Sequence, residues 1–253
     1  MSIPYTTYLI ICPLVFLAGF VDAIAGGGGI ISLPVYLIAG LPVHNALGTN
    51  KLSAVFGSAT STYRYWRNGY IRWGQTVFCI VFAFAGSSIG AKCALLIREE
   101  FFRIIMLVVI PLTAAFLLLK KNVFDEKEPY SKKKTILLSC VIAFCIGFYD
   151  GIYGPGTGTF LLILLTGVAR IRLKEANGTA KAINFATNIS ALTVYILNGV
   201  VIFPLGITAG IFNLAGSYFG TRCFDKGGVK VVKPVMFFVL AAFLVKIVYE
   251  MMS

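Results

Sequence analysis

The sequence contains few charged residues, and this scarcity excludes most classes of soluble protein. Charged residues make up 13% and hydrophobic residues 58% of the 253 positions, whereas about a quarter of the residues in a soluble domain are charged. Disordered chains are poorer in apolar residues, and disulfide scaffolds are richer in cysteine. The composition therefore predicts an all-helical, polytopic membrane protein that is surrounded by the lipid bilayer.

Sequence motifs for metal, redox and hydrolytic chemistry are also missing. The six cysteines have no C-x-x-C spacing, and His44 is the only histidine. Neither H-E-x-x-H nor G-x-S-x-G, the motifs expected of an intramembrane hydrolase, occurs. We therefore expect no enzyme activity, no metal site and no cofactor.

The length and the charge limit where a function could lie. A spanning helix needs roughly 20 residues, so the chain allows at most about ten helical segments and almost no domain outside the membrane. The net charge of +12 does not indicate nucleic-acid binding, because basic residues in membrane proteins mark cytoplasmic loops. No Lys or Arg precedes Lys51, so the N-terminus lacks the positive region of a cleavable signal peptide and is expected to be retained.

The chain contains two copies of one pattern. GFVDAIAGGGGIISLP at residues 19–34 matches GFYDGIYGPGTGTFLL at residues 147–162, at an offset of 128. The match continues at an offset of 130, where ALGTNK at 46–51 corresponds to ANGTAK at 176–181. We therefore predict a first transmembrane repeat at 1–121, a basic linker at 122–133 and a second repeat at 134–253.

Each repeat is predicted to form two short helical pieces followed by three transmembrane helices. A Gly-rich break separates the short pieces, because consecutive glycines disfavour a continuous helix. The predicted segments are 7–24, 28–40, 45–67, 73–97 and 101–120 in the first repeat, and 134–151, 157–169, 175–197, 203–223 and 229–250 in the second.

The basic loops predict that the two repeats are inverted in the membrane. The turn after the third piece is basic in the first repeat and uncharged in the second, whereas the turn before that piece shows the reverse bias. Equivalent loops with opposite charge bias are typical of inverted repeats. Each short pair must then return to its starting side, which places the linker at 120–134 in the cytoplasm and both termini outside it.

Four charged residues lie inside apolar segments, where a charge is expensive and usually faces a cavity or a partner. They form two equivalent pairs, Asp22 with Asp150 and Lys51 with Lys181. The lysines suit an anion, because an ammonium is a compact point charge with three donors. The aspartates have two readings: they carry protons, or they are structural, capping amides of the breaks or pairing with the opposite lysine.

The neighbouring residues predict a central binding site at the two Gly-rich breaks. The first N–H groups of a helix that restarts after a break are unpaired and attract anions. Neutral polar residues lie beside the lysines, on one helix face or next to them in sequence. With the possible coupling or structural residues Asp22 and Asp150, the predicted substrate site comprises Gly27, Gly28, Gly29, Thr49, Asn50, Lys51, Ser58, Gly156, Thr157, Gly158, Thr179, Lys181, Asn184 and Asn188.

The segments GFVDAIAGGGGIISLP, NALGTNKLSAVFGS, GFYDGIYGPGTGTF and TAKAINFATNIS resemble those of the sulfite exporter TauE/SafE family, over essentially the whole chain. The resemblance implies a multi-pass permease of the bacterial inner membrane that moves small anions, often sulfur-containing ones such as sulfite, thiosulfate or organosulfonates. The family's glycine and Thr-x-Lys segments fall on Asp22, Gly26–Gly29 and Thr49–Lys51, and on Asp150, Gly154, Gly156, Thr179, Lys181, Asn184 and Asn188.

From these observations we expect an anion carrier that works by alternating access around the central site. Its expected partners are the small anion, lipid and, as a further possibility, other copies of the chain, with no nucleic acid. Three alternatives stay open at this point: a passive anion channel, a membrane scaffold or sensor, and a metal or cation carrier built on the two aspartates.

Overall fold

The computed structural model describes residues 4–98, 101–102, 128–227, 230 and 234, and within them the chain forms helices and no strand. This confirms the all-helical prediction. Eight helices, here numbered α1 to α8, are described: α1 Tyr5–Ala25, α2 Gly28–Ile38, α3 Val43–Arg67, α4 Trp73–Leu96, α5 Lys132–Ile152, α6 Thr157–Gly167, α7 Leu173–Leu197 and α8 Phe203–Gly227.

The helix boundaries agree with the predicted segments to within four residues. The largest difference is in α8, which is predicted to end at residue 223 but is described as helix as far as Gly227, where the described residues are interrupted. The predicted segments at 101–120 and 229–250 lie almost entirely outside the described residues, as does the linker before residue 128. The repeat and linker boundaries remain predictions.

Three described helices, α1, α4 and α5, are long and apolar enough to cross a membrane. The outer face of α4 exposes large apolar side chains, among them Phe78 and Val81, as expected of a surface in contact with lipid. The helices α2 and α6 are apolar but have only 11 residues each. A helix of this length rises about 16 Å, roughly half of the hydrocarbon core.

The polar residues of α3 and α7 point inward. Each helix has 25 residues, a length of roughly 37 Å that suffices to cross the bilayer. Their buried polar residues include Asn50 and Lys51 on α3, and Lys181 and Asn184 on α7. Because these polar side chains face the protein interior and not the lipid, α3 and α7 can lie at the centre of the fold although their mean hydropathy is low.

The two sequence halves pack into one another. α4 packs against α5 and α7, and α8 packs against α1 and α3. These contacts follow the repeat, since α5 and α7 are the second-half counterparts of α1 and α3, and α8 is the counterpart of α4. The opposite orientation of the halves in the membrane remains a prediction.

Glycines make the close contacts between the halves possible. Gly86 and Gly90 of α4 lie against α5, while Gly216 and Gly220 of α8 lie against α1 in the equivalent way. A Cβ built at these glycines would lie 1.9–2.4 Å from backbone oxygens of Phe144, Phe148, Phe16 and Phe20. Two small residues with three residues between them are the usual means by which membrane helices approach closely.

Gly90→Ala is therefore expected to weaken the α4–α5 contact. Its Cβ would lie 2.1 Å from the Phe148 oxygen, and such overpacking typically costs about 1–3 kcal/mol. Gly74→Ala on the same helix is the matched control, because a Cβ there meets nothing within 4 Å. Thermal unfolding in detergent should show a lower Tm for Gly90→Ala than for Gly74→Ala; equal Tm values would contradict the close contact.

Candidate functional site

The two Gly-rich breaks meet in the centre of the described structure. Gly26 ends α1 in the left-handed conformation, at φ 80°, and Gly156 precedes α6 at φ 82°. Thr159 joins the two breaks by donating its backbone N–H to the Gly26 carbonyl at 3.2 Å. Its hydroxyl donates to the Ala25 carbonyl at 2.8 Å. The contact requires glycine, because a Cβ on Gly26 would lie 2.1 Å from the Gly158 carbonyl carbon.

The four intramembrane charges form two ion pairs between the halves. Lys51 of α3 donates to Asp150 of α5, with 2.6 Å between Nζ and Oδ2. Lys181 of α7 donates to Asp22 of α1, with 2.8 Å between Nζ and Oδ2, and also to the Asp22 carbonyl. Each lysine thus pairs with the aspartate of the opposite half, which was one of the two structural roles considered for the aspartates.

The remaining oxygens of the two carboxylates contact the breaks. Asp22 Oδ1 accepts the Gly28 N–H at 3.3 Å, which is the other structural role considered. Asp150 Oδ1 accepts the Thr157 hydroxyl at 2.8 Å. The Gly28 N–H at the start of α2 is therefore already hydrogen-bonded to Asp22 in this structure.

Tyrosine residues support both ion pairs in the same way. Tyr65 donates its hydroxyl to the Ala23 carbonyl at 2.8 Å, and Tyr195 donates to the Gly151 carbonyl at 2.9 Å. Each carbonyl belongs to the residue that follows an aspartate. Because these hydroxyls satisfy carbonyls at the ends of α1 and α5, they fix the backbone from which Asp22 and Asp150 extend.

A small polar cavity lies beside the ion pairs. Its volume is about 40 Å³, enough for roughly three water molecules. The side chain of Lys51 is 3% exposed and lines the cavity together with both aspartates. Asn50, Asn184 and Asn188 add amide groups to its wall. The cavity therefore combines one lysine ammonium and several neutral donors in a buried space.

The cavity includes ten of the sixteen predicted site residues. The other six lie outside its wall: Gly27, Thr49, Ser58, Gly156, Thr179 and Lys181. Three of these have structural partners elsewhere. Thr49 accepts the Ile202 N–H at 3.1 Å, Ser58 donates to the Ala54 carbonyl at 2.7 Å, and the Thr179 and Thr76 hydroxyls are 3.3 Å apart.

Lys181 differs from Lys51 although the two are equivalent in sequence. The side chain of Lys181 is 0% exposed, and both of its described hydrogen bonds go to Asp22. Lys51 has one described partner, Asp150, so up to two of its three N–H donors are available to a ligand. Lys51 is therefore the cavity-facing lysine in this structure.

Two polar wall residues, Ser32 and Asn213, were not among the predicted residues. Asn213 lies in α8 within the apolar run Ile211–Ala215, and its first-half counterpart is Ala83. An amide inside an apolar helix is a signal that could have identified it.

Asn50 is a second unusual amide, because its buried Oδ1 has no hydrogen-bond partner among the described residues. A buried acceptor of this kind is available to a water or ligand donor.

Comparison with known proteins identifies relatives over nearly the whole chain. The family model described as "Sulfite exporter TauE/SafE" matches residues 11–247. The probable membrane transporter protein ORF9 of Sinorhizobium sp is 33% identical over 93% of this chain and 90% of its own length. The probable membrane transporter protein YfcA of Escherichia coli K12 is 32% identical over 92% and 87%. No solved structure matches the chain.

Proposed function

The chain belongs to the sulfite exporter TauE/SafE family of membrane transporters, and on this premise we propose that its cargo is a small anion that binds at Lys51. The observation that carries the proposal is the buried cavity, in which the Lys51 ammonium lies beside the amides of Asn50, Asn184 and Asn188. An ammonium with neutral N–H donors around it suits the oxygens of sulfite, thiosulfate or an organosulfonate.

The size of the cavity favours a small cargo. A volume of about 40 Å³ accommodates an ion of a few heavy atoms, by comparison with the space that one water needs. Larger organosulfonates would require the cavity to widen. We therefore expect sulfite and thiosulfate to bind in preference to longer sulfonates.

We expect transport by alternating access. The movement should leave intact the close helix contacts between the two sequence halves. A rigid rotation of one sequence half against the other would separate α4 from α5 and α8 from α1. Both contacts rest on glycines that touch backbone, and packed interfaces of this kind are not continuously deformable. The moving bodies are therefore expected to keep α4 with α5 and α1 with α8.

The metal-carrier alternative has less support than the anion carrier. Both intramembrane carboxylates are already paired with lysines. No group of three His, Cys, Asp or Glu side chains within the described ranges could hold a metal ion.

A passive anion channel would use the same cavity, and single-channel currents far above carrier turnover would identify it.

A ligand screen on the purified protein tests the proposal. Thermal unfolding in detergent is measured with sulfite, sulfate, thiosulfate, sulfoacetate, taurine, short carboxylates and divalent metals. An anion at about 100 times its Kd should stabilise the protein by about 2.7 kcal/mol, and proteoliposomes should accumulate the same anion. Stabilisation by metals alone would contradict the proposal and favour a cation carrier.

A further inference from the structure

The four charged side chains at the cavity have a net charge of zero. An anion that binds there would make the site negative unless a positive charge enters with it. The two lysines and two aspartates form two ion pairs. Three of these four side chains are at most 3% exposed, and Asp22 is 16% exposed. A monovalent anion would leave the site with a net charge of −1 in a buried place, which is unfavourable unless the charge is compensated. A proton on one of the two carboxylates would restore neutrality.

Asp150 has surroundings that suit both protonation states. The Thr157 hydroxyl lies 2.8 Å from Asp150 Oδ1 and 2.7 Å from the Gly154 carbonyl oxygen. A hydroxyl has one proton to donate and two lone pairs that accept. It can donate a hydrogen bond to the ionised carboxylate, or donate to the Gly154 carbonyl while it accepts a hydrogen bond from the neutral acid.

Asp22 lacks such a partner. Its carboxylate is held by the Gly28 N–H and the Lys181 ammonium, and both groups are donors only. A proton on Asp22 would face these donors and would leave Lys181, which lies outside the cavity wall, without an anionic partner. The first-half counterpart of Thr157 is Gly29, which has no hydroxyl.

Among the described residues, few other charged or titratable groups face Asp150. Lys51 approaches from α3, and the Tyr195 hydroxyl approaches from α7 by way of the Gly151 carbonyl. On α4, the atoms nearest to a Cβ built at Gly151 belong to Ser87 and Ala91, neither of which carries a charge. Asp22 lines the same cavity from α1. Lys51 is therefore the cation that contacts Asp150, and a bound anion would compete with Asp150 for this ammonium.

We propose that the transporter moves a proton together with its anion, and that Asp150 is the proton site. The anion takes the place of the Asp150 carboxylate on the Lys51 ammonium, while the carboxylate gains one proton and turns to the Thr157 hydroxyl. One proton enters for each monovalent anion, no bond to the anion forms or breaks, and the charge of the site does not change. This inference rests on the proposed function, since it requires that Lys51 binds an anion.

Counting protons during binding tests the inference. The probe is isethionate, a monovalent sulfonate that keeps its charge between about pH 6 and about pH 8. Sulfite is measured alongside, with its own titration subtracted. Wild-type protein in weak buffer with a pH indicator should take up one proton per bound isethionate, and its affinity for isethionate should therefore fall about tenfold for each unit by which the pH is raised.

Asp150→Asn and Asp22→Asn form the matched pair of variants. Asp150→Asn should bind without proton uptake, with an affinity that does not change with pH. At about pH 8 this variant should bind isethionate at least tenfold more tightly than wild type, because Lys51 is then free of a carboxylate. Asp22→Asn should still take up one proton, because the anion displaces the same carboxylate, that of Asp150, from Lys51 in this variant.

The possible failures are distinguishable. Wild-type binding without proton uptake would overturn the coupling while leaving the anion site intact, and this count needs no variant to fold. Uptake that persists in Asp150→Asn and disappears in Asp22→Asn would overturn the choice of Asp150. If no anion of the panel binds at all, the proposed function fails rather than its coupling.

Discussion

Lys51→Met should weaken anion binding by about 10- to 150-fold, whereas Lys181→Met should leave it within a few-fold of wild type. The fold-change corresponds to about 1.5–3 kcal/mol, the usual contribution of a hydrogen bond to a charged group. Lys51 lines the cavity, and methionine keeps most of its volume while removing the charge. Binding is the better readout than transport, because each lysine also holds an aspartate at the breaks.

The two lysine variants control for each other's effect on folding. Each breaks one buried ion pair and leaves an aspartate without its cation, which costs about 3–5 kcal/mol for a fully buried pair and less for the partly exposed Asp22. Both should therefore unfold at lower temperature than wild type. Isothermal titration of sulfite and thiosulfate into monodisperse protein gives the affinities. Equal losses in both variants would contradict the single cavity-facing lysine and favour a site that both lysines share.

Much of the helical layout can be predicted from the sequence because its boundaries are marked by local chemistry. Gly26 supplies a left-handed residue where α1 ends, and the glycines around Pro155 separate α5 from α6. Interruptions of this kind depend on backbone conformation alone.

The composition of the site is also partly predictable, because a charge in an apolar segment needs a partner or a cavity. That argument identifies Asp22, Lys51, Asp150 and Lys181 from their sequence positions alone. It cannot say which aspartate pairs with which lysine, since this depends on how α3 and α7 cross the breaks of the opposite half. Nor can it distinguish Lys51 from Lys181, because the two lysines occupy equivalent positions of the repeat.

Three residues that were predicted for the site from helix spacing or from their position beside a lysine lie outside the cavity wall, and they have a common explanation. Thr49, Ser58 and Thr179 have hydroxyls that can bond to nearby backbone or to one neighbouring side chain. Thr49 accepts a hydrogen bond from the Ile202 N–H in the turn before α8, a contact between residues that are far apart in the chain. A position next to a lysine in the sequence therefore does not by itself place a residue in the cavity wall, since Asn50 lines the cavity and Thr49 does not.

Gly26→Ala should destabilise the protein far more than Gly40→Ala and should abolish transport. Both glycines have a left-handed backbone, with φ at 80° and 84°, so alanine costs about 1–2 kcal/mol at either position. Only Gly26 is also crowded: its Cβ would lie 2.1 Å from the Gly158 carbonyl carbon and 2.3 Å from the Thr159 nitrogen, whereas nothing lies within 4 Å of a Cβ at Gly40. The difference between the variants thus isolates the contact between the two breaks.

The added cost at Gly26 should be about 1–3 kcal/mol or more, because the crowding atoms are backbone that cannot rotate away. Separating the breaks would also remove the Thr159 hydrogen bonds to Gly26 and Ala25 and displace Asp22 from the cavity. Thermal unfolding in detergent and anion uptake in proteoliposomes measure the two effects. If Gly26→Ala matches Gly40→Ala in both measurements, the breaks need not touch during transport, and the binding site must be sought on α3 and α7 alone.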